Sequence, residues 1–333
     1  MNCAIFGAGA WGTAMAIHLG RQGHAVTLVP RRLEHALALT AARENVDYLP
    51  GQRLDESIQI GLEAAPALMD VDLVFLACPS KGLPELLRQI GPDVRAAAPL
   101  MAISLCKGLD QTTLRRPTEL MAEAFGPVPV ATLSGPSNAA EVARGLPTAL
   151  VLAAARDDDA LRQVQAAVSG PTLRAYTSAD LAGVEIGGTL KNVYAVGAGL
   201  CDGLGLGDNA KAAVLSRALQ EMMRLGVALG GRAETFLGLG GVGDLMATAH
   251  GGWSRNRALG EQLARDPRGT LAALAHRREA VEGHRATDTL TRLARQQGVD
   301  APILFCLHAI LYEGLDPRAG VTALMTRDLK PEA

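Results

Sequence analysis

Lysine is rare in this 333-residue chain, and its rarity singles out Lys191 as a candidate acid or base. Five of the 32 basic residues are lysine and the rest are arginine. Arginine keeps its proton near neutral pH, whereas a desolvated lysine can donate and accept one. Lys191 lies in an apolar segment rich in glycine and alanine (residues 187–199), which predicts a buried helix. A buried ammonium group needs a partner; the alternative is a structural lysine whose amine reaches solvent.

A carboxylate and a set of anion-binding groups follow later in the chain. Asp244 lies in the glycine-rich stretch of residues 238–245, which we interpret as a loop; the alternative is a helix N-cap aspartate. Ser254, Arg255 and Asn256 offer hydroxyl, guanidinium and amide donors that suit a phosphate. Alone, these three residues would more simply be the polar start of a helix.

Two further candidates follow predicted strands. Lys107 comes after an apolar run at residues 100–104, and Gly135 and Ser137 come after a run at residues 128–133. Ligands of open α/β sheets bind outside the carboxyl ends of the strands. We therefore expect these residues to face a ligand, although Lys107 could also be a surface-loop cation.

The segment Gly7-Ala8-Gly9-Ala10-Trp11-Gly12 has the spacing of a dinucleotide-binding turn. It follows an apolar run and precedes a helical pattern and a second apolar run. The first glycine permits the tight turn, the second admits a pyrophosphate, and the third lets the helix pack on the strand. The N–H groups of the helix N-terminus then face the anion.

The residues after the second strand bear on the choice of dinucleotide. An acid there holds the ribose 2′-hydroxyl of NAD, but this chain has Arg31 and Arg32. Two guanidinium groups suit a 2′-phosphate, so we expect NADP to be favoured. Glu34 follows closely enough to leave NAD open, and the arginines could instead be solvated loop charges.

Alternating strands and helices organise the first half of the chain. We predict strands at residues 3–6, 25–29, 73–78, 100–104, 128–133 and 149–153, with helical spacing at residues 11–21, 83–90 and 113–125. This alternation is typical of a parallel sheet with helices on both faces. From residue 180 onward only helical patterns remain. We therefore predict an α/β protein with a Rossmann-type, doubly wound parallel sheet in residues 1–180 and an all-helical substrate-binding and catalytic domain in residues 181–333.

Composition excludes several classes of protein. The net charge of −2 and the 3 % aromatic content argue against nucleic-acid binding. The five scattered cysteines form no CxxC pair, so we expect neither a disulfide framework nor a metal site. The chain has no apolar run long enough to span a membrane and no signal-peptide pattern, so we expect a cytoplasmic protein.

Together these motifs resemble the bacterial-type NAD(P)-dependent glycerol-3-phosphate dehydrogenases across essentially the whole chain. The matching segments, besides residues 7–12, are residues 106–109, 134–137, 145–149, 191–193, 243–245, 254–256 and 281–283. The resemblance implies reversible conversion between sn-glycerol 3-phosphate and dihydroxyacetone phosphate, with reduction supplying glycerol phosphate for phospholipids.

The resemblance also implies roles for individual residues. It implies that Lys191 is the catalytic acid and base. From the residues themselves, we expect Asp244 to hold the Lys191 ammonium group and Lys107 to stabilise negative charge on the substrate oxygen. The substrate-binding residues are Lys107, Gly135, Ser137, Lys191, Asp244, Ser254, Arg255 and Asn256. The cofactor-binding residues, with the motif glycines, are Gly7, Gly9, Ala10, Trp11, Gly12, Arg31, Arg32, Lys107, Ala139, Arg255, Val281 and Glu282.

The chain departs from the family pattern at three positions. Ala10 stands where serine is common, Asn138 where phenylalanine is frequent, and Pro30 in the lead-in to the arginines. These departures bear on cofactor preference more than on the reaction.

The alternative functions are those of a related dehydrogenase of a β-hydroxyacid or ketopantoate, and of a non-catalytic cofactor sensor that would not need Lys191, Lys107 and Asp244 together. Helices rich in small residues, such as residues 190–200, would be compatible with a homodimer or with packing inside one chain.

Overall fold

The computed structural model of the protein describes residues 1–274, 276, 281–329 and 331. By its contacts the chain divides into two compact units, Met1–Glu185 and Ile186–Ala333. No helix in the described part of the chain is long and apolar enough to cross a membrane.

The first unit is built on an eight-stranded sheet in the order β3-β2-β1-β4-β5-β6-β7-β8. The strands are β1 (Asn2–Phe6), β2 (Ala25–Val29), β3 (Gln59–Ile60), β4 (Leu73–Leu76), β5 (Met101–Ser104), β6 (Val130–Ser134), β7 (Thr148–Ala154) and β8 (Leu173–Ser178). The helices are α1 (Ala10–Arg21), α2 (Leu33–Ala42), α3 (Ala64–Ala67), α4 (Leu83–Ala97), α5 (Pro117–Phe125), α6 (Ala139–Arg144) and α7 (Asp159–Val168), with a 3-10 turn at Ser80–Gly82. The order of the first six strands is that of a doubly wound dinucleotide-binding sheet, as the sequence predicts.

Apolar layers cover both faces of this sheet. Cys3 and Ile5 of β1 belong to one buried cluster, whereas Ala4 and Phe6 belong to the other. Successive strand residues point to opposite faces, so a strand that is apolar throughout contributes to both cores. Burial on both faces explains why the sequences of the central strands are short, continuous apolar runs.

The sheet departs from the predicted all-parallel arrangement at one pairing. β7 runs antiparallel to β6, while the other strand pairs are parallel. The connection contains only α6, whose six residues extend about 9 Å. This helix is shorter than the five-residue strand β6, so it does not carry the chain back to the start of that strand, and β7 returns in the opposite direction.

Four predicted elements are shorter in the structure, and two strands were not predicted. β6 spans Val130–Ser134 rather than residues 128–133. β4 ends at Leu76 rather than residue 78, and β5 begins at Met101 rather than residue 100. The helix predicted at residues 113–125 begins only at Pro117, because Leu114 has a φ of +60° and proline is favoured at a first helical position. β3 and β8 are the two edge strands that the sequence reading missed.

Helices are the only regular secondary structure in the described residues of the second unit. Most of α8 (Leu181–Leu204) lies in it, followed by α9 (Gly207–Ala228), α10 (Ala233–Phe236), a π-helical turn (Leu239–Gly243), α11 (Asp244–His250), α12 (Arg255–Arg265), α13 (Pro267–Leu274), α14 (Glu282–Gln296), α15 (Pro302–Tyr312) and α16 (Pro317–Met325). Small residues allow its helices to pack closely. A Cβ on Gly199 of α8, for example, would lie 1.9 Å from the Arg257 carbonyl oxygen of α12. The small-residue face of α8 is therefore used for packing within the chain.

Candidate functional site

Several of the predicted site residues follow the carboxyl ends of parallel strands in this sheet. β1 leads into Gly7, β5 into Lys107 and β6 into Gly135. Parallel strands end at the same edge of a sheet, and the order of this sheet changes direction between β1 and β4. Such an edge is where open α/β sheets bind their ligands.

The glycine turn after β1 has the geometry that an anion requires. Gly7 has a φ of +113°, and a Cβ there would lie 2.5 Å from the Ala77 carbonyl oxygen. A Cβ on Gly12 would lie 2.0 Å from the Gly7 carbonyl oxygen. A Cβ on Gly9, by contrast, would meet no described atom within 4 Å. Packing therefore explains the glycines at 7 and 12, while the space above Gly9 is open to a ligand.

The N-terminus of α1 is also prepared for an anion. α1 begins at Ala10 and continues through Trp11, and its N-cap residue is Gly9, which provides no side-chain cap. The first N–H groups of a helix have no intrahelical partner, and the helix dipole favours negative charge at that end. The residues present thus fit the pyrophosphate of a dinucleotide.

Asn45 supports this turn and was missed by the sequence reading. Its side chain is buried, and its amide donates to the Ala8 carbonyl oxygen at 2.9 Å and to Thr13 Oγ1 at 2.7 Å. His35 Nε2 lies 3.2 Å from Asn45 Oδ1. One side chain therefore connects the glycine turn to the first part of α1, which only the folded chain reveals.

Arg31 and Arg32 lie just beyond β2 and are exposed, with Arg32 as the N-cap residue of α2. Glu34 lies in the first turn of the same helix. Both arginines are accessible to a charged ligand at the strand end where a ribose is bound in this type of sheet.

Lys107, Gly135 and Ser137 come together in the structure. Lys107 Nζ donates to the Gly135 carbonyl oxygen at 3.2 Å, and Ser137 Oγ donates to the same oxygen at 2.9 Å. Gly135 has a φ of +133°, a conformation that favours glycine. Ala139 is the first residue of α6, whose N-cap side chain is that of Asn138. This edge of the first unit therefore holds a half-buried ammonium group beside a hydroxyl.

Lys191 and Asp244 form a buried ion pair in the second unit. Lys191 Nζ lies 3.0 Å from Asp244 Oδ1, and the two side chains are 7 % and 1 % exposed. Lys191 Nζ also donates to Thr248 Oγ1 at 2.8 Å, and that hydroxyl donates to the Asp244 carbonyl oxygen at 2.7 Å. Lys191 therefore does not extend to bulk solvent; its ammonium group is held by a carboxylate and a hydroxyl.

The backbone around this pair explains how it forms. A Cβ on Gly187 would lie 2.3 Å from the Gly240 carbonyl oxygen, so only glycine lets α8 approach the π-helical turn. Lys191 lies one helical turn after Gly187, and Asp244 lies four residues after Gly240. The close contact at the two glycines thus brings the ammonium group onto the carboxylate.

Two details of this pair differ from the sequence reading. Residues 238–245 are not a loop: Leu239–Gly243 form a π-helical turn and Asp244 is the first residue of α11. The sequence reading also missed Thr248, which lies one turn after Asp244 on the same helix face. The i, i+4 spacing from Asp244 was the only available signal.

The remaining predicted residues lie around the starts of α12 and α14. Ser254 is the N-cap residue of α12, its Oγ accepting from the Arg257 N–H at 3.2 Å, and Arg255 is exposed at the first position. Asn256 Oδ1 accepts from the Gly283 N–H at 2.8 Å, and its amide donates to Asn192 Oδ1 at 2.8 Å.

Asn192, which directly follows Lys191 on α8, links this network to α14. Its amide donates to Glu282 Oε2 at 3.0 Å. Val281 is the buried N-cap residue of α14 and Glu282 is its first residue. Asn256 therefore fixes the start of α14 relative to α8, in addition to any contact with a ligand.

Each unit thus supplies a different chemical function. The first unit presents an anion-binding turn, two exposed arginines and a half-buried lysine. The second presents a buried lysine–carboxylate pair that can hold and move a proton, and a helix N-terminus bearing Arg255. This combination suits a dehydrogenase that acts on an anionic substrate.

Comparison with known proteins agrees with this reading. A family model described as the NAD-dependent glycerol-3-phosphate dehydrogenase N-terminus matches residues 2–160, and one described as the C-terminus of the same enzyme matches residues 180–322. A glycerol-3-phosphate dehydrogenase [NAD(P)+] of Thermus thermophilus is 47 % identical over the full length of both chains. The enzyme of that name from Janthinobacterium is 44 % identical over 100 % of this chain and 99 % of its own.

Solved structures show the same relationship. The crystal structure of glycerol-3-phosphate dehydrogenase from Coxiella burnetii superposes with a TM-score of 0.90 at 36 % identity, covering 98 % of each chain. A ketopantoate reductase from Ralstonia eutropha, at 17 % identity and a TM-score of 0.62 over 96 % of this chain and 100 % of its own, shares the fold alone. The full-length matches, together with the glycine turn and the buried lysine–carboxylate pair, place this chain in the NAD(P)-dependent glycerol-3-phosphate dehydrogenase family.

Proposed function

We propose that the protein interconverts sn-glycerol 3-phosphate and dihydroxyacetone phosphate with NAD(P)(H). The observation that carries this proposal is the buried contact of Lys191 with Asp244 and Thr248. This contact supplies an acid–base group, and full-length relatives of the chain are named as NAD(P)-dependent glycerol-3-phosphate dehydrogenases. In the direction of reduction, the enzyme would supply glycerol phosphate for phospholipid synthesis in the cytoplasm.

Lys191 would transfer the proton in this reaction. When bound, the nicotinamide supplies the hydride to C2 of dihydroxyacetone phosphate. Protonated Lys191 donates its proton to the C2 oxygen as negative charge develops there, and takes it back in the direction of oxidation. Asp244 favours the charged form of the amine, and Thr248 restricts where the ammonium group points.

The charged groups of the substrate would be held by separate residues. Lys107, which already contacts Gly135, adds a positive charge near the developing alkoxide. Arg255 and the N-terminus of α12, capped by Ser254, bind the phosphate, with Asn256 holding this segment in place. Gly135 and Ser137 complete the substrate side of the first unit.

Arg31 and Arg32 would favour NADP over NAD, since both are exposed beyond β2. Gly7, Gly9 and Gly12 with the N-terminal residues Ala10 and Trp11 would hold the pyrophosphate. The remaining contacts to the cofactor would come from Lys107, Ala139, Arg255, Val281 and Glu282.

Steady-state kinetics test the reaction and the cofactor choice together. Dihydroxyacetone phosphate should consume NADPH, seen as loss of its near-ultraviolet absorbance, and NADH should serve less well. Replacing both Arg31 and Arg32 with alanine should raise the KM for NADPH about tenfold or more while leaving that for NADH nearly unchanged, because each charged hydrogen bond contributes about 1.5–3 kcal/mol. Turnover of ketopantoate or a β-ketoacid in place of dihydroxyacetone phosphate would contradict the proposal.

A further inference from the structure

Two cysteine thiols lie side by side at the strand ends of the first unit. The register of β4 and β5 pairs Leu76 with Ser104, and the same offset brings Cys78 opposite Cys106. Their Sγ atoms are 3.8 Å apart, compared with about 2.05 Å in a disulfide. Both are free thiols. They are therefore in contact without being bonded.

The two thiols have different surroundings. Cys106 is buried, its N–H donates to Ser104 Oγ at 3.2 Å, and its thiol lies 3.4 Å from the Leu76 carbonyl oxygen. Cys78 is half-buried. Cys78 is therefore the more exposed residue of the pair.

The hydrogen bonding and the charge around the pair also favour reaction at Cys78 before Cys106. The hydrogen bond from Cys106 and the nearby Arg31 guanidinium lower the pKa of the Cys78 thiol. The same hydrogen bond, together with burial, raises the pKa of the Cys106 thiol well above its usual range. Because the thiolate is the reactive form, Cys78 would react first.

The pair adjoins segments that the proposed function uses. A Cβ on Gly7 would lie 3.2 Å from the Cys78 nitrogen, so Cys78 packs against the glycine turn. Cys106 directly precedes Lys107. The two segments also meet beyond the thiols, since a Cβ on Gly108 would lie 3.0 Å from Ser80 Oγ.

We propose that Cys78 and Cys106 are a peroxide-sensitive dithiol that closes reversibly to a disulfide and weakens dinucleotide binding. The Cys78 thiolate attacks one oxygen of hydrogen peroxide, the O–O bond breaks, and the released hydroxide takes up a proton to leave water and a Cys78 sulfenic acid. The Cys106 sulfur then attacks the Cys78 sulfur, the S–O bond breaks, and the hydroxyl leaves as a second water with the Cys106 proton. Peroxide is reduced by two electrons and the two thiols are oxidised to one disulfide.

Closure of the disulfide would move both strand-end segments. The sulfurs must approach from 3.8 Å to bonding distance, which draws residues 77–80 and 106–108 together. The glycine turn rests on the first segment and Lys107 belongs to the second. We therefore expect lower affinity for NADPH and lower turnover, both restored by a dithiol reductant.

Thiol counting and peptide mapping on the full-length protein test the site without relying on turnover. After mild peroxide treatment the wild-type protein should lose two of its five free thiols. A peptide containing Cys78 should be joined to one containing Cys106. Binding of NADPH, followed by its fluorescence, should weaken and recover on reduction.

Single variants separate the two roles. Cys106→Ser should stop at a Cys78 sulfenic acid that dimedone labels, and Cys78→Ser should keep its NADPH affinity after peroxide. The control Cys306→Ser replaces another half-buried cysteine and should respond as the wild type does. Retention of all five thiols, a link between other cysteines, or a Cys78–Cys106 link that leaves NADPH affinity unchanged would each overturn the proposal. Because these readouts need no substrate, they stand apart from a failure of the proposed reaction.

Discussion

The side chain of Asn45 connects the Ala8 carbonyl oxygen of the glycine turn to Thr13 of α1. Replacing it with alanine would leave these buried oxygens without that donor, at a cost of about 1–3 kcal/mol for each unsatisfied group. We expect Asn45→Ala to raise the KM for NADPH more than the KM for dihydroxyacetone phosphate, because the turn holds the dinucleotide.

The matched control for this variant is Asn209→Ala, at an exposed position on α9. Its kinetic constants should stay near those of the wild type. Equal changes in both KM values of Asn45→Ala would indicate a general loss of structure rather than a role in the turn.

At the scale of residues, the sequence predicts chemistry where a side chain is unusual for its surroundings. Lys191 stands out because a lysine in an apolar, glycine-rich helix is costly without a partner. Asn45 and Thr248 carry no such signal, because asparagine and threonine are common polar residues. Their contacts become visible only once α1 and α11 are placed.

At the scale of elements, the approach of α8 to the π-helical turn depends on Gly187. A Cβ there would lie 2.3 Å from a backbone oxygen of Gly240, so the turn must shift in Gly187→Ala. We expect a loss of about 1–3 kcal/mol in the free energy of unfolding, as for overpacked cores, and a lower kcat because Asp244 moves with the turn.

Urea unfolding and steady-state kinetics of Gly187→Ala measure both effects. The control is Gly82→Ala, where a Cβ meets no described atom within 4 Å. A stable Gly187→Ala enzyme with unchanged kcat would show that the close contact does not position Asp244.

The edge strands show why some elements escaped prediction. β8 alternates between buried Leu173 and Ala175 and exposed Arg174 and Tyr176, the period of a half-covered strand, but the sequence reading followed continuous apolar runs. β3 has two residues and no pattern to detect. The central strands were found because burial on both faces makes them apolar throughout.

At the scale of the whole molecule, the buried carboxylate of Glu185 links stability to pH. It accepts hydrogen bonds from the N–H and hydroxyl of Thr118 at the start of α5. Its Oε2 atom lies 3.4 Å from Arg116 Nη1. Burial raises its pKa to about 7, although Thr118 and Arg116 act in the opposite direction. The folded state therefore binds this proton more tightly than the unfolded state does.

The sign of the effect follows from that difference in proton binding. Stability from this group is greatest at low pH and is lost as the pH rises from the usual glutamate pKa through about 7. Glu185→Gln should remove this pH dependence. The free energy of unfolding of this variant, relative to that of the wild type, should therefore increase by up to about 3 kcal/mol between pH 5 and pH 8.

Urea unfolding at several pH values measures this change, with the exposed Glu63→Gln as the control. Parallel stability profiles for wild type and Glu185→Gln would show that Glu185 does not titrate differently in the folded state.

The fold class itself could be predicted because strand and helix patterns alternate in the first half of the chain and cease near residue 180. The direction of β7 could not, since it depends on how far α6 carries the chain rather than on any residue within β7.

The central claim is that Lys191 transfers the proton, and the turnover of Lys191→Met tests it most directly. The control is Lys211→Met, which removes another lysine paired with a carboxylate, Asp202 at 2.9 Å. If the unpaired Asp244 prevents folding, the double variant Lys191→Met/Asp244→Asn removes both charges. We predict a loss of about 10²- to 10⁴-fold in kcat at near-wild-type NADPH affinity, with Lys211→Met close to wild type. A folded, NADPH-binding Lys191→Met protein that keeps near-wild-type kcat would contradict the account.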